Sequence, residues 1–286
     1  EEELQDHTQY GGCIAHLNTH HGQVNIIRTF LSVFINMLNK NRLSEQIAYI
    51  SINPSGKFMK SAQVGFDKVG LRPKFLIYVS PGGRIKKEFK KYRLGLFTQF
   101  LFPKFKQHFG NKQGFSSEVI NIPIMVTHKV ASLNSDETLK FIADNKIKYL
   151  INCGAGIFRK KITSIEGIYI INAHAGKLPE YRNMNVVEWA MLNGEPAIGT
   201  IHLIDSGIDT GPILYEEELQ INGADNLVSA RETAFDQVIQ LAGKTVLAHA
   251  EGKLNPQSQP KKGKKWYTMH PFFKDKLNRK LASPNR

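Results

Sequence analysis

Residues 168–214 read IYIINAHAGKLPEYRNMNVVEWAMLNGEPAIGTIHLIDSGIDTGPIL, and this stretch decides both fold and chemistry. It opens with an apolar run, Ile168 to Ile171, and polar groups enter only where that run ends, at Asn172 and His174. A buried strand delivers chemistry to its tip in this way. Side chains alternate faces along a strand, so residues spaced i, i+2 point the same way and the Asn172 amide and His174 imidazole can aim at one point. A second apolar run, Ile198 to Ile204, ends in the turn Asp205-Ser206-Gly207-Ile208-Asp209-Thr210-Gly211-Pro212 and supplies a carboxylate at another strand end. An amide donor, an acid/base and a carboxylate that orients or charges the base suit addition to a carbonyl carbon.

Asn172-x-His174, then Leu178-Pro179-Glu180-Tyr181-Arg182, then Asp209-Thr210-Gly211-Pro212 resembles the formyltransferase family that uses 10-formyltetrahydrofolate. The likeness runs from about Ile147 to Leu219. It implies that Asn172, His174 and Asp209 are catalytic, with Asn172 donating to the oxyanion. His174 then donates as imidazolium or passes the proton, and Asp209 favours the charged imidazole or takes the amine's proton through water. It also implies that Cys153 to Arg159, with Gly156, Ile157 and Phe158, lines the pterin pocket of the folate. Asp205 either contacts the pterin or holds its turn. Where the family has Gly after Tyr-Arg, this chain has Asn183, a residue that tolerates left-handed backbone.

With 286 residues and 41% hydrophobic content the chain can form one large domain or two small ones. No apolar run approaches the roughly 20 residues of a membrane span. Two cysteines, Cys13 and Cys153, in dissimilar contexts argue against a disulfide framework and for a reducing cytoplasm. The chain starts at Glu1 rather than Met, which reads as a trimmed sequence, and no signal-peptide pattern opens it. The net charge of +13 is local: 81–115 carries +8 and 258–280 carries +7, leaving the remainder at −2. No cysteine–histidine cluster has metal-ligand spacing, so no metal is expected.

The order of elements predicts an α/β fold, a Rossmann-like, mostly parallel twisted sheet with helices on both faces. Residues 1–45 read as an N-terminal extension, frayed at first, with a packed helix over Gly22 to Lys40 striped by Ile26, Ile27, Phe30, Leu31, Phe34, Ile35 and Leu38. A catalytic domain follows over 46–252. Its strands are expected at Gln46 to Ile52, Lys74 to Ser80, Glu118 to Val126, Ile147 to Asn152 and the runs quoted above, with a last strand finishing over Glu216 to Gln220. Its helices are expected at Lys57 to Val69, from Asn134 to near Asn145, and from Asp225 onward, the last with Leu227, Ala230, Ala234, Val238, Leu241 and Val246 on one stripe. The loops at Pro54 to Lys57 and Ser80 to Arg84 contain Gly but have neither phosphate-loop nor dinucleotide spacing. His202 sits inside a strand and reads as packed, and His20-His21 as surface. Residues 253–286 read as a short basic tail.

The insertion 81–115 mixes cations with aromatics over 84–109. Its readings are a core-covering face with solvated lysines, a basic amphipathic surface for an anionic membrane, or nucleic-acid stacking; the last lacks a sheet of stacking aromatics. For the acceptor, the tail is too short for a separate tRNA-handling domain. The Gly176-Lys177-Leu178-Pro179 sequence is most similar to enzymes formylating nucleotide-linked amino sugars. Lys177, Tyr181, Arg182 and Asn185, near the catalytic trio, are expected to face that substrate. Methionyl-tRNA, glycinamide ribonucleotide or water as acceptor, and an inactive basic adaptor, are the alternatives; a homodimer is left open.

Overall fold

The computed structural model describes residues 20–80, 125–221, 224, 226–260 and 263–282, with only the backbone given for 20–27. Two compact units divide the chain, Glu1–Leu43 and Ser44–Arg286. The readings of 1–19 and of the insertion over 81–115 lie outside the described residues.

Helix α1 (His20–Ser44) forms where the apolar period predicted a helix. The expectation that it is packed is not met. Phe30, Leu31, Val33, Phe34, Ile35, Met37 and Leu38 all stand about half exposed or more, and Phe30 is 72% exposed. A stripe of apolar residues states that a helix can be covered; it does not supply the cover.

In the second unit, β1 (Ile47–Ser51) and β2 (Phe75–Val79) are near-continuous apolar runs, as strands buried on both faces must be. Between them lies α2 (Lys57–Asp67). The next strand, β3 (Val126–Val130), begins where the sequence reading had a strand over Glu118 to Val126 ending. It is the sheet's edge, half exposed and polar at Thr127, His128 and Lys129, so apolar content marks it poorly. Then come α3 (Asp136–Asp144), capped by the Ser135 hydroxyl accepting from the Thr138 amide, β4 (Tyr149–Asn152) and the single turn α4 (Lys160–Thr163). The quoted stretch gives β5 (Tyr169–His174), β6 (Arg182–Asn183), α5 (Val186–Asn193) and β7 (Ile198–Leu203). It closes with β8 (Ile213–Glu218), followed by α6 (Leu227–Ala250). The start of α6 is fixed by Asn226, whose side chain accepts from the amides of Val228 and Ser229 while the Ser229 hydroxyl accepts from the Asn226 amide. All six residues of its expected stripe are buried.

The seven-stranded sheet runs β3-β2-β1-β4-β5-β7-β8. Its first four junctions are parallel and the last two antiparallel. Chain order reverses between β1 and β4, and the crevice at the carboxyl ends of such strands is where open α/β sheets bind ligands. On one face, Ala48, Ile50, Ile77, Leu150 and Ile170 pack with Ile142 of α3 and Ile162 of α4. On the other, Tyr49 meets Phe66 of α2 edge-on at 5.5 Å.

Residues 253–282, read from the sequence as a tail, belong to the same unit as the sheet. They supply β9 (Lys265–Trp266), which pairs parallel with β6, and α7 (Pro271–Ala282), whose Leu277 packs with Met269 and Leu227.

Helices α2 and α6 cross backbone to backbone. A Cβ on Gly65 would stand 2.3 Å from the Gln240 carbonyl oxygen, and one on Gly243 would stand 2.3 Å from that of Gly65. Helix axes cannot part locally without unpacking Ala234, Val238 and Phe66, so even one methyl is excluded. Gly65→Ala should lower the unfolding free energy in urea by about 1–3 kcal/mol, the range for overpacking, with an unchanged denaturant slope.

Candidate active site

Three strands end in polar residues that lie side by side. The parallel register of β4 on β5 matches Ile151 with Ile171 and so brings Asn152 alongside Asn172, and β7 sets His202 opposite Asn172. The Asn152 Nδ2 donates to Asn172 Oδ1 at 2.9 Å, and Asn172 Nδ2 is 3.0 Å from His202 Nε2. Two residues further along β5, on the same face, His174 is 7% exposed.

Asp209 reaches both imidazoles from the turn after β7. Its Oδ2 lies 3.7 Å from His174 Nδ1 and its Oδ1 3.6 Å from His202 Nε2. The Asn183 backbone amide donates to Oδ2 at 2.8 Å. Asp209 (φ 53°) and Asn183 (φ 83°) both adopt the left-handed backbone that Asp and Asn tolerate best among side-chain-bearing residues. The position where the resemblance has glycine is thus filled by a residue that keeps glycine's conformation. His174 Nε2 donates to the Tyr181 carbonyl at 2.6 Å, which leaves Nδ1 to face the carboxylate. Gly176 makes that bond sterically feasible, since a Cβ there would sit 2.8 Å from the Tyr181 oxygen and 2.9 Å from His174 Nε2.

Burial is the largest influence on His174 and lowers its pKa; the Asp209 charge and the Tyr181 carbonyl push upward, His202 pushes downward, and the net is a lowered value. The imidazole therefore rests neutral at pH 7. For Asp209 burial is again the largest single influence and works upward, but contact with His202, the charge of His174 and the Asn183 amide together outweigh it and hold the carboxyl at about 2. A neutral base beside an ionised carboxylate can accept one proton at His174 Nδ1 and stabilise it there.

The structure brings Asn172, His174 and Asp209 together and adds two residues that the sequence reading missed. His202 is a buried neighbour of Asp209 and Asn172 rather than a merely packed residue, and Asn152 abuts Asn172. Asn152 carries the signal that exposed Asn172, a polar residue at the end of an apolar strand.

The expected acceptor-side residues are placed differently. Lys177 is exposed. Tyr181, Arg182 and Asn185 are turned inward, each 6% exposed or less. The Tyr181 ring stacks on Trp266 at 5.3 Å and its hydroxyl accepts from Asn193. Arg182 donates to Gln259 Oε1 at 2.8 Å. Asn185 donates to Glu188 and accepts the Met269 amide at 3.0 Å. These three contact the C-terminal segment at Trp266, Gln259 and Met269, while the Tyr181 hydroxyl and the Asn185 NH2 bond α5 residues and Arg182 Nε is buried without a hydrogen-bond partner.

Where the sequence reading expects the pterin pocket, Gly154 (φ 79°) and Gly156 (φ 105°) shape the loop after β4, and a Cβ on Gly154 would meet nothing within 4 Å. Ile157 is 72% exposed, so an apolar side chain and open backbone stand uncovered at the carboxyl edge, which suits a flat ring. Phe158 is core, packed with Ile162 and Leu133. Of the two readings of Asp205, its Oδ1 serves the turn, accepting from the Gly207 amide at 2.9 Å and the Thr210 hydroxyl at 2.6 Å.

Residues 151–241, which contain Asn152, Asn172, His174, His202 and Asp209, match the family described as formyl transferase. Over this segment the chain is similar to the formyl transferases. A methionyl-tRNA formyltransferase of Pelobacter propionicus is 29% identical over 140 residues, 49% of this chain and 43% of that protein. One of Thermodesulfovibrio yellowstonii is 38% identical over 104 residues, 36% of this chain and 34% of that protein. The chain thus spans less than half the length of these curated relatives. Among solved structures, the formyltransferase PseJ from Anoxybacillus kamchatkensis, in complex with UDP-4,6-dideoxy-4-formamido-L-AltNAc and tetrahydrofolate, is 26% identical. That likeness covers 49% of this chain and 73% of that one, with a TM-score of 0.40.

The titrations of Asp209 and His174 contribute to acid stability. A carboxyl depressed to about 2 contributes stability that is fully present above its unfolded value near 4 and is lost as pH falls through about 2. His174, also depressed, contributes in the same sense from about pH 6.5 downward. Asp209→Asn should therefore flatten the pH dependence of unfolding free energy between about pH 4 and 2, removing on the order of 2 kcal/mol of it, as read by urea melts across that range.

Proposed function

We propose that this chain transfers a formyl group from 10-formyltetrahydrofolate to the amine of a nucleotide-linked amino sugar. The observation that carries the formyl-transfer reading is the convergence of the Asn172 amide and the His174 imidazole of β5 with the Asp209 carboxylate, which reaches them from the turn after the antiparallel strand β7. The loop Gly154 to Ile157 would hold the pterin ring, and the bound donor supplies a formyl carbon carried on a nitrogen leaving group.

The chain's own groups then have separable tasks. Asn172 Nδ2 carries two hydrogens, one spent on His202 and the second free to donate to the oxygen that gains charge when the amine adds to the carbon. His174, neutral with its Nε2 proton held by Tyr181, takes the proton that the amine must lose at Nδ1, and Asp209 stabilises the imidazolium so formed. The same proton is available for return to the departing nitrogen. Buried surroundings strengthen each of these interactions relative to water.

A diphosphate-bearing acceptor is supported by exposed cations on the segments that flank the trio. The Lys177 carbonyl accepts from the Tyr181 amide and the Lys264 carbonyl from the Arg182 amide; Lys177, Lys264 and Lys265 are exposed, with Lys264 Nζ lying over the Trp266 ring at 3.6 Å. A second acceptor, methionyl-tRNA, is favoured by the names of the curated relatives.

Incubation of the full chain with 10-formyltetrahydrofolate and either UDP- or dTDP-linked amino sugars or methionyl-tRNA, read by tetrahydrofolate release and product mass, separates the readings. The nucleotide sugar should gain one formyl group. Formylation of methionyl-tRNA alone overturns the acceptor, and turnover of none overturns the activity. Asn172→Ala should lower kcat about 100- to 1000-fold, the loss typical of one oxyanion donor. Turnover of the wild type should hold from pH 8 to below 6.5 and fall only as His174 gains a proton.

A further inference from the structure

We infer that Asn152 is a positioning residue for Asn172: it begins a one-way chain of hydrogen bonds that fixes which edge of the Asn172 amide faces the reaction. The inference rests on the reading of Asn172 as the oxyanion donor.

The direction of the chain is set by its two ends, both backbone groups that cannot be turned over. The Ala155 amide can only donate, and it donates to Asn152 Oδ1 at 2.9 Å. The other half of the Asn152 side chain is then necessarily its NH2, which donates to Asn172 Oδ1 at 2.9 Å. That leaves Asn172 presenting its own NH2 to His202 Nε2 at 3.0 Å. Asp209 Oδ1 lies 3.6 Å from His202 Nε2, beyond hydrogen-bond length, so Nε2 accepts from Asn172 and the ring proton lies on Nδ1, which faces the Leu203 carbonyl at 2.8 Å, a group that can only accept. Every donor therefore points the same way, from the Ala155 amide through two side-chain amides and an imidazole to the Leu203 oxygen.

Turning the Asn172 amide over would set its NH2 against that of Asn152 and its oxygen against the lone pair of His202. Both contacts would become like against like in a largely buried row, where unmade hydrogen bonds are most expensive. The second N–H of Asn172 is thereby held toward the open side of β5. Without Asn152 only the His202–Leu203 end would still orient the amide, so turning it over would cost one mismatched contact instead of two, and the carbonyl edge would occupy that position part of the time and repel a developing oxyanion. Strand register makes this possible, since Asn152, Asn172 and His202 form one row across β4, β5 and β7.

Asn152→Asp tests the idea directly, because a carboxylate still accepts the Ala155 amide but offers no hydrogen to Asn172. The amide should turn over, and His202 should gain a proton at Nε2 to meet the Asn172 oxygen. Long-range proton–nitrogen correlation spectra of the histidine rings, with His202 assigned by its loss in His202→Gln, read this without any turnover. The wild-type ring should show the Nδ1–H form and the variant protonation at Nε2. An unchanged His202 signal overturns the inference. Asn152→Leu, which introduces no charge, is the second variant and should give a mixture of the two His202 forms; a single wild-type form overturns the inference as well.

In kinetics, Asn152→Asp should lower kcat about 10- to 100-fold, a fraction of the loss expected for removing the donor, with KM for both substrates within about threefold. It should add nothing to Asn172→Ala, because both act through one group. Losses that multiply in the double variant overturn the positioning role. If Asn172→Ala leaves kcat unchanged while His202 still responds to Asn152→Asp, the oxyanion reading fails and the directional chain stands.

Discussion

The structure depends on one buried carboxylate staying ionised. Asp209 sits between two imidazoles and under the backbone amide of Asn183, so a single negative charge ties the turn after β7 to the loop before α5. Both residues take left-handed backbone to make that contact, and each belongs to the pair of residue types that does so at least cost. The carboxyl is stabilised as an anion by its neighbours despite being buried, and the burial that should penalise it also holds His174 neutral. The acid and the base are set apart by their surroundings rather than by their identities, which is what a proton-handling pair at neutral pH requires.

The C-terminal segment completes this arrangement from outside the sheet. Gln259 donates to the carbonyl oxygens of Asp209, at 3.2 Å, and Gly211, at 2.6 Å, while accepting from Arg182. Trp266 lies against Tyr181 and Trp189, and its indole donates to the Glu180 carbonyl at 2.9 Å. One short segment therefore fixes the backbone on both sides of the carboxylate. The net +7 of residues 258–280 thus sits on a structural segment as well as on surface.

How much of this was legible in the sequence follows from how local each cause is. Asn172 and His174 announce themselves because they stand where an apolar run ends, a property of one strand alone, and Asp209 is picked out by the Asp-Thr-Gly-Pro motif in the turn after the next run. Asn152 carries the same signal at the end of β4, but its partner, and the meaning of His202, lie in which strands are neighbours and in what register, and one strand carries no record of that. Tyr181, Arg182 and Asn185 were read as facing substrate because they stand near the trio and can bond; their partners Gln259, Trp266 and Met269 are some 75 residues or more further on, where no local pattern announces them. The parallel sheet and its helices were plain from alternating apolar runs, whereas the edge strand β3 was anticipated only at Val126 because half-exposed strands lose that contrast; the rest of the expected strand, 118–124, lies outside the described residues. The stripe on α1 was read correctly as helical and wrongly as covered.

The pairing of β6 with β9 has a consequence for synthesis. The loop that carries Asn183 to Asp209 is held by residues made roughly 80 positions later, Lys264 to Trp266, so on the ribosome the sheet and the three strand ends can assemble while that loop is still unanchored. Until Lys264 to Trp266 emerge, Asn172, His174 and His202 can stand in register while the Asn183 amide that holds the Asp209 carboxylate is unanchored, so the carboxylate is the last of the group to be fixed.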